Sequence, residues 1–267
     1  MDCTATFIGT ATLIVEIAGL RLITDPVFDP AGSTFAVGKT GAVTYTNECG
    51  PAIGLEQVGD VDLVLLSHDH HKDNLDRKGR ELCARAGEVL TTRSGARRLA
   101  KHHGLTNVTG MTAWDTKTVT TPEGLEVRIT ATPARHGPPV AHFIAGDVIG
   151  FILEWEGQQH GALYFSGDTR LYKGIKDVAR RFTIGTAVLN MGAGGFAVTG
   201  SICYSMPAGE AARAAEMLAA RQIVPLHYDG WTHFREGRDD IEVAFEQAGL
   251  SERLIWLPRG VSQTLSV

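Results

Sequence analysis

The segment Asp62-Leu-Val-Leu-Leu-Ser-His-Asp-His-His-Lys-Asp-Asn-Leu-Asp76 decides how the rest of the chain reads. Its aliphatic run from Leu63 to Leu66 predicts a strand buried on both faces, as in an α/β layer. Where that strand ends, His68, Asp69, His70, His71 and Asp73 follow within six residues. Imidazole is the commonest neutral metal ligand at physiological pH, and carboxylate completes a hard or borderline site. Two histidines one residue apart in a loop can turn toward a single ion, because the intervening side chain points away. The competing reading is a polar loop after a strand, and the density of ligand-type side chains argues against it.

A metal site needs ligands from elsewhere, and three further stretches run from β-type residues into a lone His or Asp beside Gly or Pro. They are Thr130-Ala-Thr-Pro-Ala-Arg-His136-Gly, Leu163-Tyr-Phe-Ser-Gly-Asp168-Thr and Ile223-Val-Pro-Leu-His227-Tyr-Asp. With Phe7-Ile-Gly-Thr-Ala-Thr-Leu-Ile-Val-Glu16 and Leu22-Ile-Thr-Asp25-Pro-Val-Phe-Asp-Pro30, the set resembles the metallo-β-lactamase superfamily. The nearest branch is that of the ascorbate-phosphate lactonases and the N-acyl-phosphatidylethanolamine phospholipases D. The resemblance covers nearly the whole chain. It implies an α/β (α+β) fold, the four-layer αββα sandwich, with the ligands meeting at one edge.

The resemblance also implies a ligand set. His68, His70 and His136 would hold a first ion, Asp73 and His227 a second, and Asp168 would bridge them. The ion implied is Zn2+, one or two, with Mn2+ or Fe2+ as alternatives. Three neutral imidazoles leave an ion Lewis-acidic enough for bound water to ionise near ~7 rather than ~16, and that hydroxide is the expected nucleophile. Asp73 and Asp168 are then the expected catalytic carboxylates. One departure stands out. The branch reads His-x-His-x-Asp-His, whereas here Asp73 comes one residue late and Asn74 stands where a second-metal His is expected. His71 reads as an outward-facing neighbour, or else as the substitute for the ligand that Asn74 cannot be. Tyr228, His233 and Arg135 are candidates for touching substrate, set against packing or surface roles.

Composition narrows the function classes. At 267 residues and 43% hydrophobic, the chain can bury a sizeable core. A formal charge of −5 and pI near 6.1 leave no electrostatic footprint for nucleic acid. Four scattered cysteines form no C-x-x-C pair, which fits a reducing cytosol. No stretch reaches the roughly eighteen uncharged apolar residues of a membrane helix. Partners are thus expected to be small-molecule substrates, with homo-oligomerisation left open.

Along the chain, residues 3–24 read as a strand meander at a sheet edge, ending at an Asp25-Pro26 turn; the resemblance places Asp25 near the metal cleft. Residues 28–59 read as a long irregular wall or lid. Its Gly32–Thr40 stretch has five residues between glycines, so it fails as a phosphate-binding loop. Helices are predicted over 75–87, over 94–103 from a Ser cap, over 208–220 and over 239–248. Strands are predicted over 88–92, 125–133, 150–156, 162–166, 186–191, 223–226, 253–257 and 263–267. Gly192–Ala197 mimics a dinucleotide fingerprint, but no helix opens at its glycines. Elements come in two similar rounds, giving one domain over 1–267 with halves of about 1–140 and 141–267. The expected activity is metal-dependent hydrolysis of a small ester, lactone or phosphodiester. The alternatives are a di-iron redox enzyme on the same fold and an RNA-processing nuclease.

Overall fold

In the computed structural model, which describes residues 2–37, 43–138 and 146–267, period-two alternation builds two facing sheets. In β1 (Cys3–Gly9), Cys3, Ala5 and Phe7 point into the space between the sheets, as do Leu13, Val15 and Ile17 of β2 (Thr12–Ile17). Ile14 points the opposite way, into the outer layer. The meander closes with β3 (Leu20–Thr24). Strands β6 (Leu63–Leu65), β7 (Glu88–Thr92) and β8 (Val108–Met111) then add to it in parallel. The C-terminal strand β15 (Ser262–Leu265) pairs with β1, so it, and not the meander, forms the edge of the seven-stranded sheet.

The second sheet begins at β9 (Thr116–Thr120) and continues through β10 (Glu126–Pro133), β11 (Ile149–Trp155), β12 (Ala162–Phe165), β13 (Ile184–Asn190) and β14 (Gln222–Leu226). The chain changes sheet between Met111 and Thr116, ahead of the boundary near residue 140 expected from the sequence. On the outer face of the first sheet lie α1 (Arg77–Arg85) and α2 (Arg93–His103), whose Leu82 and Leu99 share an apolar cluster with Val64 and Val89 of the sheet. Helices α3 (Lys173–Arg181), α4 (Ala208–Leu218) and α5 (Arg238–Gln247) cover the second. The result is helix, sheet, sheet, helix: the four-layer αββα sandwich, with the main core between the sheets. Among the described residues no helix is long and apolar enough to cross a membrane.

Three elements depart from the sequence reading. The segment 28–59 is not wholly irregular, because β4 (Thr34–Val37) and β5 (Val43–Thr46) pair as a hairpin; residues 38–40 of the glycine stretch lie outside the described residues. Helix α3 was not foreseen: Tyr172 caps it without a side-chain hydrogen bond, so it carries no start signal. The strand expected at 253–257 shrinks to one bridge, Leu254 with Ile223, and a hydrogen bond from Ile255 N to the Ile223 carbonyl. The next rung would need an N–H from residue 225, which is Pro225.

Strands β3, β6, β10, β12, β13 and β14 all end at the same edge of the sandwich. In parallel and doubly wound sheets such carboxyl ends form the natural crevice for chemistry.

Candidate metal centre

The loop after β6 is held by its non-ligand side chains. Ser67 donates its N–H (2.6 Å) and its hydroxyl (2.8 Å) to the Asp25 carboxylate. Asn74 Nδ2 donates to the same carboxylate at 3.2 Å. Asp69 accepts Arg98 Nε (2.9 Å) and Nη2 (2.5 Å) from α2. Asp76 caps α1 at Gly79 N (2.6 Å) and takes the amides of Phe28 and Asp29. With these anchors fixed, His68, His71 and Asp73 turn inward, and Lys72 is left exposed. Asp25 is therefore more than an Asp-Pro turn. It sits at φ 31° and 3% exposure, and burial pushes its carboxyl up to about 7.

Three imidazoles converge next. His71 Nδ1 lies 2.9 Å from His136 Nε2 and 3.2 Å from His68 Nε2. Ligand atoms on a tetrahedral ion with bonds of about 2.0–2.1 Å stand about 3.3 Å apart. The far nitrogens show which lone pairs face inward. His136 Nδ1 donates to the Tyr204 carbonyl at 3.0 Å, and His68 Nδ1 donates to Ser67 Oγ at 2.9 Å, whose own proton goes to Asp25. Both Nε2 atoms are then bare acceptors, with the tautomers assigned from these networks. Burial, then repulsion between the rings, holds His68 and His71 well below imidazole's usual range; burial lowers His136 too. With both Nε2 atoms accepting, the Nδ1 proton of His71 lies between them, and once it moves to His71 Nε2 three neutral lone pairs meet on one point that a cation would satisfy.

His71 thus does not face outward. The spacing His71-Lys72-Asp73-Asn74 keeps the family's His-x-Asp-His register, so the extra residue lies between His68 and His71. His70 stands beside this trio, half-buried, its ring 4.8 Å from His68 and 4.4 Å from His71. The ligand atoms of His68, His70 and His71 also lie within 4.8 Å of one another.

A second group adjoins. Asp73, Asp168 and His227 bring their ligand atoms within 4.8 Å of one another, as do His68, His136 and Asp168, so Asp168 belongs to both groups. Asp168 Oδ2 stands 3.5 Å from His227 Nε2 and 4.0 Å from His68 Nε2, while Asn190 Nδ2 holds Oδ1 at 2.8 Å. His227 Nε2 is 3.2 Å from Asp73 Oδ2, yet neither ring nitrogen of His227 has an aligned hydrogen-bond partner. Such atoms face a shared point, not one another. Burial opposes charge on His227, but Asp168 and Asp73 outweigh it and pull its pKa up to about 9. Burial likewise opposes charge on Asp73; His227 and His233 outweigh it and hold the carboxyl well below the usual range. The His227 backbone sits at φ 60°, a costly conformation for a non-glycine residue and typical of a functional position.

The sequence candidates for substrate contact fare differently. His233 lines the cleft and reaches Asp73 Oδ2 from Nε2 at 2.9 Å. Tyr228 packs on Trp256 in the outer layer, ring centroids 5.4 Å apart, because it follows His227 and points the other way. Arg135 lies over the Tyr172 ring and reaches the Leu171 carbonyl at 3.4 Å, which draws its guanidinium toward the start of α3. Ser67, Asn190 and Tyr204 were missed, since single polar residues and a carbonyl leave no pattern. The glycines at 192–195 serve close packing: a Cβ on Gly192 would meet the His227 carbonyl at 2.4 Å, and Gly194 lines the cleft.

Comparison with known proteins agrees with this architecture. The family described as beta-lactamase superfamily domain matches residues 20–228. A UPF0173 metal-dependent hydrolase of Methanopyrus kandleri is 28% identical over 261 residues, 96% of this chain and 97% of the relative. One of Pyrococcus furiosus is 26% identical, over 85% of this chain and 84% of the relative. Among solved structures, isothiocyanate hydrolase from Delia radicum gut bacteria is similar with a TM-score of 0.82 at 20% identity, covering 99% of this chain and 100% of that one. The matched span takes in both groups of converging ligand-type side chains, and the chain belongs to the beta-lactamase superfamily.

Proposed function

We propose that the chain hydrolyses a small ester, lactone or phosphodiester at a centre of up to two ions. His68, His71 and His136 would hold the first, Asp73 and His227 the second, and Asp168 would bridge. The observation that carries this reading is the convergence of three neutral imidazole nitrogens beside a carboxylate shared with a second group. An all-nitrogen trio suits zinc, and the oxygen-richer second group also suits manganese or iron. A bound ion supplies Lewis acidity, lowering the pKa of water to about 7.

The chain's own residues do the rest. Ser67 and the Tyr204 carbonyl keep His68 and His136 in the tautomers that present Nε2. Asn190 orients Asp168 and His233 orients Asp73, so that each carboxylate presents an oxygen to the group it shares with His227. Asn74, directed to Asp25, contributes to the loop and not to the ligand set. His70, the ligand expected from the sequence, becomes a flanking residue.

Metal analysis of protein purified without added metal, together with turnover of a lactone and a phosphodiester, tests this reading. His71→Ala is expected to lose one ion per chain and at least about a hundredfold in rate, the scale on which positioned catalytic groups act, whereas His70→Ala keeps its metal. Loss of metal from His70→Ala with retention in His71→Ala would restore His70 as the ligand. A metal-depleted His136→Ala protein that still turned over at the wild-type rate would sink the mechanism.

A further inference from the structure

Behind the second-sheet ligands, one ion pair ties together three irregular segments of the chain. Arg170 follows Asp168 by two residues, and its guanidinium presents Nε and Nη2 to the two carboxylate oxygens of Glu210, Nε at 2.8 Å. The remaining arm, Nη1, donates to the Cys203 carbonyl at 2.8 Å. Glu210 lies in the first turn of α4, where negative charge is favoured, and also accepts the Leu171 amide at 3.0 Å. Burial opposes charge on Glu210, but Arg170 and that amide outweigh it and hold the carboxyl below its usual range.

Each segment carries part of the candidate centre. The one that contains Arg170 bears Asp168. Its backbone also grips the residue before His136: the Arg170 amide donates to the Arg135 carbonyl at 2.8 Å, and Thr169 Oγ1 accepts the Arg135 amide at 2.9 Å. The third segment bears the Tyr204 carbonyl, which accepts His136 Nδ1 and the Gly137 amide, each at 3.0 Å. Arg170 holds that segment one peptide earlier, at Cys203. A shift of the Cys203–Tyr204 peptide therefore moves the acceptor that fixes the tautomer and direction of His136.

The plain alternative is a pair that only stabilises the fold. Its side chains are 19% and 17% exposed, so both charges have lost most of their hydration, and a pair of this kind adds little net stability. What the fork does supply is geometry. It meets a carboxylate with two parallel N–H groups and a carbonyl with a third, an arrangement that the point charge of a lysine does not reproduce. Arg98 holds Asp69 through Nε and Nη2 on the first-sheet side, behind the loop that carries His68.

We propose that Arg170 is a positioning residue for the first ion. Clamped by Glu210, it holds the Cys203–Tyr204 peptide so that the Tyr204 carbonyl keeps His136 Nε2 directed at that ion. The same residue anchors the segment that bears Asp168. This rests on the metal-hydrolase reading above and deepens it by naming what sets the second-sheet ligands.

The test compares full-length wild type with Arg170→Lys and Glu210→Gln. Arg128→Lys, whose exposed partner is Glu154 of β11, serves as control. Calorimetric zinc titration reads the affinity of the step that releases no proton. The visible absorption of cobalt(II)-loaded protein reads the ligand geometry. Arg170→Lys keeps a cation beside Glu210 but loses the fork. The Tm of its metal-free form should stay near wild type, while affinity falls about tenfold or more, as when partners of a metal-bound histidine are removed. Its cobalt bands should shift. Glu210→Gln, whose amide NH2 would face guanidinium donors, should move both readouts the same way, and Arg128→Lys neither. Unchanged affinity and bands in Arg170→Lys, or a lowered Tm with neither readout moved, would overturn the inference and leave the hydrolase reading standing. If Arg170→Lys does not fold, Glu210→Gln decides by the same two readouts. Wild-type protein that binds no zinc would count against the parent reading itself.

Discussion

At the scale of single residues, the two groups of ligand-type side chains differ in how they hold protons. Burial keeps His68, His71 and His136 neutral, so a cation entering there displaces no proton near neutrality. His227 is the opposite case. Its pKa rises from 6.5 to about 9 because Asp168 and Asp73 outweigh the cost of burying the charge. In the metal-free protein this raised value stabilises the fold fully below pH 6.5, and the contribution fades as pH rises through about 9. A cation at Asp73, Asp168 and His227 must expel that proton, so its affinity should climb with pH up to about 9. Calorimetric zinc titration at pH 7 in buffers of different ionisation enthalpy should show about one proton released with one of two binding steps. Equal proton release in both steps would mean that His227 is not what separates them.

At the scale of elements, α2 does two jobs: it covers the first sheet, and it carries the Arg98 that fixes Asp69. Its start is not at Ser94 as the sequence pattern suggests. Thr92, the last residue of β7, accepts the Gly95 amide at 2.9 Å, while Ser94 Oγ meets only Thr92 Oγ at 3.2 Å. The first turn has to be open at Gly95, where a Cβ would meet Thr92 Oγ1 at 2.9 Å and Asp69 Oδ1 at 3.0 Å. Thr92→Ala should cost about 1 kcal/mol and Ser94→Ala only about a few tenths, in chemical denaturation of the metal-free protein. The reverse order would return the cap to Ser94. His102 and His103, at the far end of α2, are exposed, as a solvated surface pair should be.

At the scale of the whole molecule, the candidate centre joins the two sheets. His68, His71 and Asp73 follow β6 of the first, while His136, Asp168 and His227 follow β10, β12 and β14 of the second. Any ion held by both sets ties together layers that are otherwise joined by the apolar core between them. A cation present at about a hundred times its dissociation constant adds about 2.7 kcal/mol to stability. For a chain of this size that corresponds to about 5–10 °C in Tm. Chelation should therefore lower Tm by that order, with zinc restoring it, as read by differential scanning calorimetry. A Tm indifferent to chelator in protein shown to have lost its metal would argue that the ions do not span the sheets.

The sequence by itself determined the sandwich and most of the candidate centre. Buried strands announce themselves by unbroken or alternating apolar runs, and ligand-type residues at their ends stand out against them, as at Leu63–Leu65 before His68 and Ala162–Phe165 before Asp168. These are local signals, legible without neighbours. Tertiary structure alone brought both adjacent histidines beside His68 and set His71 Nδ1 2.9 Å from His136 Nε2. The register of the His68–Asp73 loop is set by Asp25, 42 residues before Ser67, and by Arg98, 29 residues after Asp69. Neither anchor is adjacent in sequence, and a one-residue shift in a loop exchanges the inward and outward faces. The same long-range packing took Tyr228 and Arg135 away from the cleft, ended the strand at Ile255 against Pro225, and brought the rings of Phe196 and Tyr204 beside His136 and His233. Side-chain direction in loops follows from contacts that only the folded chain creates.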